Sequence, residues 1–216
     1  MKKSLLAEFL GTLILVMAVV GSGIMAETLS GGNTGLALLA NTIATGATLY
    51  VIITLFGGIS GAHFNPAVTL VMGLLGRIRP SLAGAYVIVQ VLGGITGAWL
   101  AHAMFDLEIL QLSTNSRSGM AQYLSEVVAC AGLLLTILLG LRARAEAIPA
   151  LVAAYIMAAY WFTASTSFAN PAVTIARTLT DTFSGIEYGD TLPFILAQVI
   201  GAVLAMKLAS VLDEAS

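Results

Sequence analysis

The pentapeptide Asn-Pro-Ala-Val-Thr stands at residues 65–69 and recurs unchanged at 170–174. Each copy follows an apolar run and opens a second apolar stretch too short to cross a bilayer. Asn is a favoured helix N-cap, and Pro fits the first helical position, where no backbone N–H is needed. One copy would be ordinary helix punctuation. Two copies in corresponding places of two apolar halves predict half-helices that begin in mid-membrane.

The membrane setting follows from the rest of the chain. Its 216 residues are 58% hydrophobic and 9% charged, with mean hydropathy +0.97, too apolar for a soluble domain of this length. Spans are expected at 5–25, 36–56, 82–105, 123–141, 148–168 and 192–212, each near the ~20 residues a tilted helix needs. The expected fold class is an all-α membrane protein, one channel domain over 1–216 with six transmembrane helices and two re-entrant half-helices. Met1-Lys2-Lys3 before an apolar run resembles the start of a signal peptide. The first span has a counterpart in the second half, so it is read as part of the fold.

Basic residues set the expected orientation. Lys2, Lys3, Arg77, Arg79, Arg142, Arg144 and Lys207 fall on one side of a six-span topology, and only Arg117 and Arg177 on the other. The positive-inside bias then puts both termini in the cytoplasm of a cell membrane. Net charge is −2 and no basic tract occurs, so nothing points to nucleic acid. Cys130, the sole cysteine, lies within an apolar span and reads as a packed core thiol.

An internal repeat relates 4–105 to 120–212. Leu6-Ala7-Glu8 answers Leu124-Ser125-Glu126, and Gln90-Val91-Leu92-Gly93 answers Gln198-Val199-Ile200-Gly201. Each unit holds three spans, an odd number, so the second inserts upside down. Such repeats place the functional site at interrupted helices near the midplane. Asn65 to Gly76 is long enough for roughly 18 Å of helix, about half the hydrocarbon thickness. The second short helix is expected from Pro171 to Leu179. Small residues at helical spacing, Gly93 with Gly97 and Gly201 with Ala205, would let the third and sixth spans pack closely.

Glu8 and Glu126 are carboxylates inside apolar spans, which is costly and needs a reason. They serve either as an ion or proton relay or as acceptors for the unwound backbone of the re-entrant loops. Their matched positions favour the second role. His63, two residues before Asn65, either lines a vestibule or hydrogen-bonds its own loop, and His102 reads as interfacial. No nucleophile–base pair, metal-ligand cluster or phosphate loop is evident, so neither an enzyme nor a cofactor is expected.

Half-helices meeting by their N-termini place two positive dipole ends at the midplane, each worth about half a charge. With Asn65 and Asn170 turning N–H donors to the pore, cations and hopping protons meet a barrier there. Neutral solutes with oxygen acceptors meet donors. The residues alone therefore describe a passive channel for small uncharged polar molecules. A proton-coupled transporter remains the rival, with Glu8 and Glu126 its only ionisable candidates.

The paired boxes, Asn65-Pro66-Ala67 and Asn170-Pro171-Ala172, the run Ser60-Gly61-Ala62-His63-Phe64 and the early Ala7-Glu8-Phe9 resemble the aquaporin family of major intrinsic proteins. The resemblance spans nearly the whole chain. It implies a pore in every protomer of a homotetramer embedded in lipid, with the central barrier at Asn65 and Asn170. In most of the family an Arg follows the second box and forms the charged side of an outer constriction; here that position is Val173.

Spacing from the two asparagines assigns the other constriction positions to Ser167, Ala158 and Thr45. All are small and uncharged, unlike the tight His/Arg ring of water-selective members. The resemblance thus implies an aquaglyceroporin-like filter open to glycerol, urea and undissociated metalloid acids such as arsenous acid, and to water. A water-selective channel is the alternative. Arg177, one helical turn beyond Val173, either returns a cation to the pore, pairs with Asp181, or is a surface charge.

Overall fold

The computed structural model describes residues 1–214. Six long apolar helices cross the expected membrane zone: α1 (Lys2–Leu29), α2 (Thr34–Ser60), α4 (Pro80–Met104), α5 (Met120–Ala143), α6 (Ile148–Phe162) and α8 (Tyr188–Glu214). Between them lie two short helices, α3 (Pro66–Leu74) and α7 (Pro171–Arg177). Both begin on the proline of an Asn-Pro box, with the asparagine extended at the N-cap.

Helix boundaries follow local chemistry. α2 starts where Asn33 accepts a hydrogen bond from the Leu36 N–H, and ends at Gly61, whose φ of 88° is the left-handed conformation glycine adopts at no steric cost. The expected fifth span is corrected at its end. α6 stops at Phe162 rather than reaching 168, because the chain turns there into the second descent. The half-helices are also shorter than the 65–76 and 171–179 expected, each ending in a carbonyl-sharing turn.

α1 packs along α4 and α2, α5 packs along α8 and α6, and α2 meets α6 across the bundle. The closeness of α1 and α4 depends on glycine. A Cβ at Gly93 would strike the Phe9 carbonyl oxygen, and one at Gly97 that of Leu13. Gly201 on α8 meets the Val127 carbonyl of α5 in the same way. In a bilayer, where lipid is as apolar as the side chains, such backbone contact is a main source of helix cohesion.

Because each span reverses direction, the chain ends and the C-terminal end of α3 share one side. The 105–119 connection and the C-terminal end of α7 lie on the other, called here the far side. α3 and α7 are in contact, and each box asparagine bonds the residue that precedes the other box, so the two Asn-Pro boxes meet within the bundle.

Candidate functional site

The two descents are built alike. Ala62 and Phe64 hold φ of 49° and 48°, and Ser167 and Ala169, at the same positions relative to their asparagine, hold 52° and 46°. None is glycine, and left-handed conformations of this kind cost about 1–3 kcal/mol each. A buried carboxylate supports each loop. Glu8 accepts from Ser60 Oγ at 2.6 Å, His63 N at 3.0 Å, Phe64 N at 2.7 Å and Gln90 Nε2 at 2.8 Å. Glu126 accepts from Ser165 Oγ at 2.6 Å, Phe168 N and Ala169 N at 2.9 Å, and Gln198 Nε2 at 2.6 Å.

Hydrogen bonds to a charged group contribute about 1.5–3 kcal/mol each, so four of them offset the two left-handed residues of the first loop and the three of the second, where Thr166 also has φ of 60°. Four donors also occupy the acceptor capacity of a carboxylate. That geometry favours loop support over a relay. Gln90 and Gln198 extend the symmetry, each donating as well to the box threonine, Thr69 or Thr174, at 2.9 Å.

The asparagines cap their own helices and hold each other's loops. Asn65 Oδ1 accepts from Ala67 N at 2.9 Å, and Asn170 Oδ1 from Ala172 N at 3.0 Å and Val173 N at 3.3 Å. Asn65 Nδ2 donates to the Ala169 carbonyl at 2.7 Å, and Asn170 Nδ2 to the Phe64 carbonyl at 2.8 Å. Pro66, Ala67, Pro171 and Ala172 are buried behind them and start the helices.

A cavity of about 270 Å³ runs past both asparagines, from Arg77 on the terminal side to Arg177 on the far side. Its wall is mainly aliphatic, with Leu15, Leu49, Ile53, Val68, Leu133 and Ile156 among its residues. The polar side chains are few: His63, the asparagine pair, Thr45, Tyr160, Ser167, and Arg77 and Arg177 at the two ends. His63 both lines this cavity and bonds its own loop, with Nδ1 3.0 Å from Thr69 Oγ1 and its ring edge-on to Tyr86.

Thr45, Ser167 and Val173 lie on the cavity wall. Ala158 does not. It is exposed on the outer face of α6, whose inner face is Val152, Ile156 and Tyr160, one residue per turn. Tyr160 takes the place, its hydroxyl 3.3 Å from Thr45 Oγ1. Counting back from Asn170 missed it, whereas the four-residue period of the inner face would have found it. Ser167 Oγ is buried, with no hydrogen-bond partner among the described residues.

Arg177 closes the far end of the cavity. It is 4% exposed, its Nε donates to the Ser184 carbonyl, and its guanidinium carbon lies 3.4 Å from the Phe168 ring centroid. Among the described residues Arg177 and Asp181 form no ion pair; Asp181 Oδ1 accepts from Thr114 N at 2.8 Å and Thr114 Oγ1 at 2.9 Å. His102 is likewise corrected from interfacial to buried. Its ring nitrogens meet the Ile109 carbonyl at 3.0 Å and Thr180 Oγ1 at 2.8 Å, tying α4 to the loop after α7.

The family description "Major intrinsic protein" matches residues 1–162. The chain belongs to the major intrinsic protein family. It is 58% identical over 202 residues to aquaglyceroporin AqpS of Rhizobium meliloti (strain 1021), covering 94% of this chain and 86% of that protein. A shorter match, 43% identical over 81 residues, joins 36% of this chain to 25% of human aquaporin-9. Among solved structures, the aquaglyceroporin from Plasmodium falciparum superposes with a TM-score of 0.73 at 20% identity, over 95% of this chain and 94% of that one. That likeness shows the common fold. As a major intrinsic protein with six apolar spans, this is an integral membrane channel for small solutes and not an enzyme.

Proposed function

We propose that the channel passes glycerol, urea, undissociated metalloid acids such as arsenous acid, and water. The carrying observation is the composition of the wall between Asn170 and Arg177: Thr45, Tyr160, Ser167 and Val173, with hydroxyls and one branched aliphatic but no cation at the level of Val173. A neutral polyol or hydroxide finds donors and acceptors on one side of such a wall and apolar surface on the other. The name of the Rhizobium meliloti relative, an aquaglyceroporin, supports the same reading.

A proton-coupled transporter fits less well, because Glu8 and Glu126 are both fully engaged away from the cavity. The chain is read as sitting in the cell membrane with both termini in the cytoplasm, from the distribution of its basic residues. A homotetramer with one pore per protomer is the assembly the family resemblance implies.

Stopped-flow light scattering on proteoliposomes, comparing water, glycerol, urea and arsenous acid at neutral pH, tests the reading. Solute influx well above empty liposomes supports it. Water flux alone overturns it in favour of a water-selective pore.

A further inference from the structure

Arg177 has a companion. Arg117, in the 105–119 connection, reaches across the far mouth, and its guanidinium carbon lies 5.1 Å from the centroid of Phe168, the ring that Arg177 stacks on at 3.4 Å. The two arginines bond three consecutive carbonyls of the loop after α7. Arg117 Nε takes Gly185 at 2.8 Å, Arg117 Nη2 takes Phe183 at 3.4 Å, and Arg177 Nε takes Ser184. Among the described residues, no carboxylate forms an ion pair with either. Among the described residues, none is hydrogen-bonded to either Nη of Arg177.

Two cations held against one ring, neither guanidinium in an ion pair among the described residues, repel each other, and both have lost much of their hydration. Burial pulls the pKa of Arg117 below the ordinary arginine value, opposed only by the more distant Glu126 and Tyr160. The structure also leaves space beside them. A recess of about 290 Å³ is bounded by Arg117, Arg177, Thr34, Asn41, Thr166 and Phe183, and no Asp or Glu lines it. Glu27 and Asp181 line the neighbouring recess, which Arg117 also borders, and Asp190 accepts from the Arg117 backbone N–H at 2.6 Å without pairing with its guanidinium. Arg177 borders both the recess and the central cavity, so an occupant of the recess lies against the side chain at the far end of the pore.

We propose that this recess is a binding site for a small oxyanion of the sulfate or phosphate class, held between Arg117 and Arg177. Guanidinium groups present planar forks of N–H donors that match oxyanion oxygens, and a bound anion supplies the missing counter-charge. An anion there narrows the route to Val173, so occupancy lowers the flux of neutral solutes. This second statement rests on the solute-channel reading above, whereas the binding site does not.

The test uses the purified full-length protein with sodium sulfate, and separately inorganic phosphate, at low millimolar concentration against sodium chloride of equal ionic strength. Two readouts are taken: the thermal unfolding midpoint in detergent, and glycerol influx into proteoliposomes with the anion on both sides. A ligand that binds only the folded state raises its midpoint. The expected result is a saturable rise in the midpoint with sulfate but not chloride, and at least a threefold fall in glycerol influx. Arg117→Gln should abolish both, each variant being normalised to its own anion-free value, and Arg117→Lys should restore part of them.

Equal effects of chloride and sulfate would overturn the site, as would a sulfate effect that survives in Arg117→Gln. If Arg117→Gln fails to fold, the wild-type comparison of sulfate with chloride still decides. A midpoint shift in a protein that passes no glycerol would keep the anion site and sink the solute reading alone.

Discussion

Asn65 donates from Nδ2 to the carbonyl of Ala169, the residue that precedes the other box asparagine, at 2.7 Å. Asn170 returns the bond to Phe64, which precedes Asn65, at 2.8 Å. Each asparagine thus clamps the strained end of the opposite loop while its Oδ1 caps its own half-helix. The two halves of the repeat are joined at the midplane by side chain to backbone, and both asparagines line the cavity where that clamp is made.

Replacing Asn170 with Ala removes the cap, worth about 1 kcal/mol, and leaves the buried Phe64 carbonyl without its donor, at roughly 1–3 kcal/mol more. The expected outcome is a lower thermal midpoint together with a cation leak, since the α3 and α7 N-termini are no longer held against each other. Proton or sodium flux into proteoliposomes, read with an internal indicator dye, checks it. A leak-free, fully stable Asn170→Ala protein would show that the clamp does not organise the barrier.

Val173 borders the cavity beside Ser167, one turn inside Arg177. Val173→Arg would place a second guanidinium next to the first and fill the space that the short side chain leaves. Glycerol and arsenous acid influx should fall about tenfold or more while water flux persists, because a larger donor narrows the pore without closing it. Unchanged solute influx in a folded Val173→Arg protein would count against the wide-filter reading.

Much of the architecture was legible in the chain because membrane burial writes it in length and hydropathy. Six spans, two capped half-helices and matched carboxylates Glu8 and Glu126 need no tertiary information beyond the repeat. The misreadings share a cause. Ala158 was placed by counting along a segment that changes from helix to descent at Phe162, and counting cannot tell which face of α6 looks inward. Arg117, placed by sequence only on the side opposite the termini, is brought over Phe168 by the fold. His102 looked interfacial because it is near a helix end, yet the loop after α7 covers it.

The correction on α6 has a direct check. Ala158 is exposed on the lipid-facing or neighbour-facing side, whereas Ile156 is on the cavity wall. Ala158→Leu should leave glycerol influx within about twofold of the native protein, since surface substitutions away from packed features cost little. Ile156→Trp should lower it severalfold by obstructing the cavity. The reverse ranking in proteoliposome flux would restore Ala158 to the filter.

Gly97 tests how much the bundle depends on backbone contact. Its missing side chain lets α4 approach the Leu13 carbonyl of α1, and Gly97→Leu forces the two helices apart or distorts one of them. Overpacking of this kind costs typically about 1–3 kcal/mol. The effect reaches the pore, because Glu8 on α1 and Gln90 on α4 meet at 2.8 Å beneath the first descent. Separating the helices stretches that bond and loosens the left-handed residues Ala62 and Phe64 that it supports. The expected outcome is a lower thermal midpoint with a loss of glycerol influx larger than the lost folded fraction explains. A midpoint shift with full influx per folded molecule would confine Gly97 to cohesion of the bundle and leave the Glu8 support independent of it.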